Sequence, residues 1–294
     1  MSVALETAAL TKRYRAVVAL AGCDVTIPSG RVVGLVGPNG AGKTTLLHLA
    51  VGLLEPTSGT VRVFGASPTT DPAGVLARVG FLGQDRPLYG SFTVAETMEL
   101  GRHLNPKWDQ AFATGRLQRI GIPLDRKIKT LSGGQRAQVA LTLALGKRPD
   151  LVLLDEPVSN LDPLARLEFL QELMSSVAQD GSTVVLSSHV IADVQRVCDH
   201  LVILAEGKVR LAGDIEDLLR GHALVVEPRR QDATTDPSAI EITQADRQTT
   251  KLIRTEHPEE AHVKPDGSSV RPATLEEIVL AYLRQRTDHV KEAA

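Results

Sequence analysis

Gly37-Pro-Asn-Gly-Ala-Gly-Lys-Thr44 is a glycine-rich segment of the pattern GxxxxGK[ST], and it decides how this chain is expected to fold. In such a loop the backbone N–H groups surround phosphates, the lysine reaches the β- and γ-phosphates, and the hydroxyl reaches a magnesium ion. The pattern has this meaning only between a strand and a helix. Both are predicted, because 31–36 is an apolar strand-like run and the apolar spacing over 43–52 is helical. The segment therefore predicts a phosphate-binding α/β fold.

A second motif, Leu151-Val-Leu-Leu-Asp-Glu156, predicts a buried parallel strand that ends in two acids. Open α/β sheets bind ligands at the carboxyl ends of their strands, so Asp155 and Glu156 are expected there. Two adjacent carboxylates repel each other unless a cation compensates, and Mg²⁺ would supply that charge.

A third motif, Leu131-Ser-Gly-Gly-Gln135, begins a helical pattern over 133–147. The start of this helix offers free N–H groups and the Ser132 hydroxyl without bulky side chains, which favours an anion site. The glycine-rich loop already holds one set of phosphates. We therefore expect this second phosphate-binding surface to close on the nucleotide of another copy.

Composition limits the other function classes. The 294 residues predict about two domains, and 43% hydrophobic residues can form a sizeable core. No apolar run approaches the roughly 18 residues needed to cross a bilayer, and the first ten residues lack a secretory signal, so we expect a cytoplasmic protein that reaches a membrane only through partners. A net charge of −2 and 3% aromatic residues give no reason to expect nucleic-acid binding. Cys23 and Cys198 lie far apart and are expected to be reduced structural thiols.

The pattern along the chain predicts one larger domain. Residues 2–36 are β-rich, and 85–147 are interpreted as a helical insert with helices over 93–104 and 108–120. Alternating strands and helices resume over 151–211, which is typical of a doubly wound sheet.

Residues 222–294 differ in composition and are predicted to be a separate small accessory region after a domain spanning 1–221. After a strand-like run over 223–227, a polar region with several prolines predicts little core and partial mobility. A capped amphipathic helix is predicted near the end, beginning at Thr274.

Together the three motifs resemble the ATP-binding cassette (ABC) family, the nucleotide-hydrolysing subunits of membrane transporters, over roughly residues 1–220. The resemblance implies an α/β P-loop NTPase cassette with a mixed sheet core, an antiparallel β subdomain, a helical insert and a small C-terminal appendage. It also implies ATP and Mg²⁺ as cofactors, a second cassette as partner in a head-to-tail dimer, and integral membrane permease subunits.

The resemblance further assigns roles to residues. Glu156 would polarise the attacking water, Lys43 would offset charge on the transferred phosphoryl group, and Gln84 and His189 would contact the water or the γ-phosphate. The implied metal ligands are Thr44, Gln84 and Asp155. The implied nucleotide-binding residues are Tyr14, which would stack on adenine, and Gly37, Pro38, Asn39, Gly40, Ala41, Gly42, Lys43, Thr44, Thr45, Ser132, Gly133, Gly134, Gln135 and Asp162. Asn160 departs from the family pattern, where a small residue is usual, and this puts communication between the two sites in doubt.

Several alternatives stay open at this stage. Gln84 is alternatively a surface glutamine, His189 a structural histidine, and Tyr14 a packed or exposed tyrosine without a ligand. The Thr274-Leu-Glu run is similar to the closing segment of exporter cassettes and favours export, with import as the alternative. A cassette ATPase that acts on ribosomes or DNA is a further alternative, although such relatives usually carry two cassettes or long insertions.

Overall fold

A computed structural model describes residues 2–228, 238–245, 247–255, 262–263 and 268–285. Its strands, numbered in chain order, are β1 (Val3–Tyr14), β2 (Val17–Pro28), β3 (Val32–Val36), β4 (Ser58–Val63), β5 (Val79–Leu82), β6 (Leu151–Leu154), β7 (Thr183–Ser188), β8 (His200–Ala205), β9 (Lys208–Asp214), β10 (His222–Pro228), β11 (Ala239–Gln244), β12 (Gln248–Arg254), β13 (His262–Val263) and β14 (Ser269–Pro272). Its helices are α1 (Lys43–Ala50), α2 (Pro72–Arg78), α3 (Val94–Leu104), α4 (Gln110–Arg119), α5 (Gly133–Leu145), α6 (Pro163–Asp180), α7 (Ile191–Val197), α8 (Ile215–Arg220) and α9 (Leu275–Arg284), with a 3₁₀ turn at Ile128–Thr130.

A six-stranded sheet with the order β5-β6-β7-β3-β8-β9 forms the centre of the fold. The first five strands are parallel and β9 is antiparallel to β8. β3, β6 and β7 are buried along their whole length, which explains the apolar sequences of β3 and β6 and the apolar centre of β7. Because β3 lies next to β7 and β7 next to β6, the chain segments that follow these three strands meet at one edge of the sheet.

Two further layers flank this sheet. β2, β1 and β4 form an antiparallel sheet whose buried residues share a core with α1 and the central strands. The helical insert is observed as α3, α4 and α5, packed around a core that includes Met98 and Leu117. α3 begins at a capping box formed by Thr93 and Glu96, which satisfies donors at its first turn.

The C-terminal region forms its own antiparallel sheet, with the order β11-β12-β10-β14-β13, and ends in the predicted helix α9. Leu224, Leu252 and Ile278 belong to one hydrophobic cluster with Ile203 and Leu211 of the central sheet. Leu252 belongs to the polar part of this region, so the expectation that this part adds little core is wrong. Its predicted mobility concerns segments that include 229–237, 256–261, 264–267 and 286–294, which lie outside the described residues, and it stays a prediction.

No helix in the described part of the chain is both long enough and apolar enough to cross a membrane.

Candidate nucleotide site

The glycine-rich loop connects β3 to α1 and passes close to β8. A Cβ atom on Gly37 would lie 2.1 Å from the carbonyl oxygen of Leu204, so only glycine fits there. Gly42 has φ +106, a backbone conformation that L side chains rarely adopt. The Lys43 ammonium Nζ donates to the carbonyl oxygens of Gly37 at 2.7 Å and Pro38 at 3.3 Å. The loop therefore curls around the lysine, as a phosphate-binding loop requires.

A cavity of about 490 Å³ lies along this loop and is lined by most of the predicted site residues. The predicted residues that line it are Pro38, Asn39, Gly40, Ala41, Gly42, Lys43, Thr44, Thr45, Gln84, Glu156 and His189. Val17, Ala19 and Ser159 complete the lining. Gln84 follows β5 and His189 follows β7, so the order of the strands places two distant segments beside the loop.

Glu156 lies between a cation and an imidazole. Its Oε1 is 3.3 Å from Lys43 Nζ, and its Oε2 is 2.8 Å from His189 Nδ1. The side chain of Glu156 is buried, whereas that of His189 is about half exposed, at 51%. Because an ionised carboxylate only accepts hydrogen bonds, Nδ1 is the donor in this pair. Oε2 is thus hydrogen-bonded, whereas Oε1 makes an ion pair without a hydrogen bond.

The backbone of Glu156 is strained. Its φ is +46, in the left-handed region, where a non-glycine residue costs about 1–3 kcal/mol. The Glu156 N–H donates to Ser187 Oγ at 2.8 Å, and this bond holds the strained residue in place. Such strain is concentrated at functional sites, where the surrounding structure fixes an unfavourable conformation.

Ser187 is a residue of this site that the sequence reasoning did not single out. It is fully buried at the end of β7, and its hydroxyl donates to Asp155 Oδ1 at 2.8 Å while it accepts from Glu156 N–H. One hydroxyl therefore orients both acids of the second motif. The sequence signal that could have found it is the polar Ser187-Ser188 pair directly before His189, at the end of an otherwise apolar buried strand.

Asp155 is fully buried and does not line the cavity. Its N–H donates to the carbonyl oxygen of Leu82 at 2.8 Å, and Ser187 satisfies Oδ1, whereas Oδ2 has no hydrogen-bond partner. A buried carboxylate oxygen without a partner is costly unless a cation compensates it. Mg²⁺ prefers oxygen ligands, and Thr44 and Gln84 both line the cavity. The residues present therefore fit a magnesium ion held together with nucleotide phosphates.

The residues of the third motif line a different cavity, of about 450 Å³. Ser132, Gly134, Gln135 and Asp162 contribute to it, and its lining shares no residue with the cavity along the glycine-rich loop. Gly133 begins α5 without lining either cavity. Within one chain, the two predicted phosphate-binding surfaces are thus separate.

Two helix starts shape this second cavity. Ser132 Oγ accepts from Gln135 N–H and Gln135 Oε1 accepts from Ser132 N–H, both at 3.1 Å, which forms a capping box at the start of α5. Asp162 caps α6, because its carboxylate accepts from the N–H groups of Leu164 and Ala165. The local sequence therefore fixes the backbone of both segments independently of any ligand.

Tyr14 does not line the cavity along the glycine-rich loop. It ends β1, pairs with Val17 across the hairpin and is 41% exposed. Lys12 Nζ lies 5.3 Å from the centre of its ring. Val17, which is 65% exposed, lines the cavity instead, and stacking of Tyr14 on adenine stays a prediction.

Comparison with known proteins assigns the chain to a family. A family model described as ABC transporter matches residues 20–159. The chain is 37% identical over 207 residues to the thiamine import ATP-binding protein ThiQ of Shigella flexneri serotype 5b, an alignment that covers 68% of this chain and 88% of that protein. The chain belongs to the ABC transporter family.

Other members of the ABC transporter family extend this result. The daunorubicin/doxorubicin resistance ATP-binding protein DrrA of Streptomyces peucetius is 33% identical, with 73% of this chain and 66% of that protein covered. The dimeric structure of the bacterial ABC transporter cassette MJ0796 superposes with a TM-score of 0.64 at 27% identity, covering 71% of this chain and 98% of that one. The predicted fold class is confirmed, and the chain is an ATP-binding ABC ATPase subunit of a transporter.

Proposed function

We propose that two copies of this chain, or one copy and a close relative, enclose two Mg–ATP molecules head to tail and hydrolyse them. The separation of the two phosphate-binding surfaces carries this proposal. Lys43 lines one cavity and Ser132 lines another, so a single chain does not bring both surfaces to one nucleotide. In the proposed dimer, Ser132, Gly134 and Gln135 of one chain cap the γ-phosphate held by the glycine-rich loop of the other.

In this proposal Glu156 is the general base. Both of its carboxylate oxygens have partners in the structure, Lys43 Nζ and His189 Nδ1. A bound γ-phosphate competes for the Lys43 ammonium, which weakens the hold on Oε1 and leaves that oxygen to accept a proton from water. His189 keeps Oε2 in place, so the Glu156 carboxylate stays oriented while the Lys43 ammonium turns to the phosphate.

The remaining cavity residues hold the phosphates. Lys43 offsets negative charge on the transferred phosphoryl group, and the N–H groups of the glycine-rich loop bind the neighbouring phosphates of the nucleotide. Thr44, Gln84 and Asp155 would hold Mg²⁺, which neutralises phosphate charge when bound. Asp155 is oriented for this role by Ser187.

The proposed partners are integral membrane permease subunits, which would keep the chain on the cytoplasmic face of the membrane. Binding of ATP and loss of the γ-phosphate would close and open the cassette dimer and so drive the permease. We favour export, because the capped helix starting at Thr274-Leu-Glu resembles the end of exporter cassettes and because the similar protein DrrA is named for drug resistance. The similarity to ThiQ, which is named for import, supports import as the alternative.

The first test is an E156Q variant, with E216Q as control because Glu216 is exposed on α8, away from the cavity. Wild-type and E216Q proteins should hydrolyse Mg–ATP at a rate that rises faster than linearly with protein concentration. E156Q should lose hydrolysis and form a dimer only with Mg–ATP on size exclusion. An active E156Q protein would contradict the role of Glu156, and a persistent E156Q monomer would contradict the shared site. A substrate-binding protein that co-purifies with the complex would decide for import.

A further inference from the structure

A hydrogen bond joins the loop that carries Gln84 to the loop that carries Glu156. The Arg86 guanidinium Nη2 donates to the carbonyl oxygen of Pro157 at 2.6 Å. Pro157 directly follows Glu156 in the chain, and Arg86 lies two residues after Gln84. The contact therefore connects the two loops one or two residues after Gln84 and Glu156, which line the cavity.

Arg86 is held in a position with several unfavourable features. Its φ is +44, in the left-handed region, and its N–H donates to the carbonyl oxygen of Gly83 at 3.1 Å to close a tight turn. The side chain is half-buried, and its Nε is shielded from solvent without a hydrogen-bond partner. Burial, and then the nearby Arg136, lower the pKa of the Arg86 guanidinium. The bond to Pro157 is the contact that compensates these costs.

The segment 156–159 has two external anchors and one internal one. Ser187 Oγ accepts from the Glu156 N–H, and Arg86 donates to the carbonyl oxygen of the next residue, Pro157. Inside the segment, Ser159 donates to the carbonyl oxygen of Glu156 through both its N–H and its hydroxyl. Because Glu156 is itself in a strained conformation, loss of an external anchor allows its backbone to relax and its carboxylate to move.

We propose that Arg86 is a positioning residue for hydrolysis: by holding the Pro157 carbonyl, it keeps the Glu156 carboxylate between Lys43 and His189. The inference rests on the proposed role of Glu156 as general base. Arg86 itself does not line the cavity, so it acts through the backbone and not on the nucleotide. Its loss therefore lowers the rate of the chemical step and leaves nucleotide affinity nearly unchanged.

The experiment compares R86Q, R86K and R126Q, where Arg126 is an exposed arginine of the same insert and serves as control. R86Q should lower kcat about tenfold, the effect of losing one charged hydrogen bond, while KM stays within about twofold. R86K should recover kcat to within about threefold of wild type, because only one N–H of the guanidinium reaches Pro157 and an ammonium can replace it. R126Q should match wild type, and melting temperatures establish that each variant is folded.

Three results would overturn the proposal, two of them in R86Q. One is a kcat of R86Q within about twofold of wild type, and the other is a rise in KM that accounts for the whole loss of kcat/KM. An R86K protein no more active than R86Q would also contradict the proposal, because a single donor at this position would then fail to replace the bond to Pro157. Failure of the proposed function is read separately, from wild-type and E156Q proteins alone. An inactive wild type would contradict the proposed hydrolysis, and a fully active E156Q protein would show that the general base is misassigned, before any arginine variant is compared.

Discussion

Replacing Ser187 with alanine should damage both stability and hydrolysis. The hydroxyl is fully buried and makes two hydrogen bonds of 2.8 Å, one to Asp155 Oδ1 and one from Glu156 N–H. Alanine leaves both groups buried without a partner, and each unsatisfied group costs about 1–3 kcal/mol. Asp155 Oδ2 already lacks a protein partner, so the carboxylate would have none. We therefore expect S187A to lose about 2–6 kcal/mol of unfolding free energy.

The effect on hydrolysis follows from the same two bonds. Without the Ser187 hydroxyl, the left-handed backbone at Glu156 loses the bond that holds it, and the orientation of Asp155 is no longer fixed. Displacement of a catalytic group by about 1 Å can lower a rate roughly a hundredfold, and we expect a loss of kcat of that order. Urea denaturation measures the stability, and steady-state hydrolysis of Mg–ATP at saturating nucleotide measures kcat.

Ser182 provides the matched control. It is also a buried serine, directly before β7, and its hydroxyl donates to the carbonyl oxygen of Pro149 at 2.7 Å, at the opposite end of the strand from Ser187. S182A should lose about 1–3 kcal/mol of stability and keep its kcat. If S187A and S182A have equal activity at a temperature where both are folded, the link from Ser187 to the acids would be refuted.

Three other perturbations test separate parts of the structure. G37A should raise the Kd for ATP more than tenfold in an equilibrium titration, because its Cβ would lie 2.1 Å from the carbonyl oxygen of Leu204 and displace the glycine-rich loop. R116M should lose about 1–3 kcal/mol in urea denaturation, because the buried Gln138 Oε1 loses its donor, whereas the Gln138 carbonyl oxygen and Thr142 Oγ1 stay hydrogen-bonded to each other. Burial lowers the pKa of His222 below its usual 6.5, so unfolding binds a proton and stability should fall as the pH drops below about 6.5. H222Q should flatten that part of a melting-temperature profile against pH, whereas an unchanged profile would exclude His222 as its source.

The sequence predicted the central parts of the fold because each depends on local pattern. Strand β6 is a continuous apolar run, and the segment before Lys43 has the glycines and the flanking strand and helix that a phosphate-binding loop needs. Ser187 and Arg86 could not be found in this way. Their importance depends on which strands are neighbours and on two loops meeting in space, and neither spacing nor periodicity along the chain contains that information.

The core contribution of the polar part of the C-terminal region was underestimated for a different physical reason. A strand in a sheet with one buried face needs an apolar residue only at alternate positions, so a polar average composition is compatible with a core. β12, with the sequence Gln-Thr-Thr-Lys-Leu-Ile-Arg, buries Leu252 against α9 and the central sheet although most of its residues are polar. Composition alone could not distinguish such a sheet from a mobile segment.

The proposed chemistry depends on the relative position of four chain segments. Glu156 is placed by its own strand β6, its backbone is held by Ser187 at the end of β7, its carboxylate contacts Lys43 of the glycine-rich loop, and the next residue is held by Arg86 at the start of the helical insert. A small displacement of any of these segments changes the surroundings of the Glu156 carboxylate. Because the insert is attached at this point, a partner that moves it would alter the rate of hydrolysis without touching the nucleotide, and R86Q should weaken that response along with the basal rate.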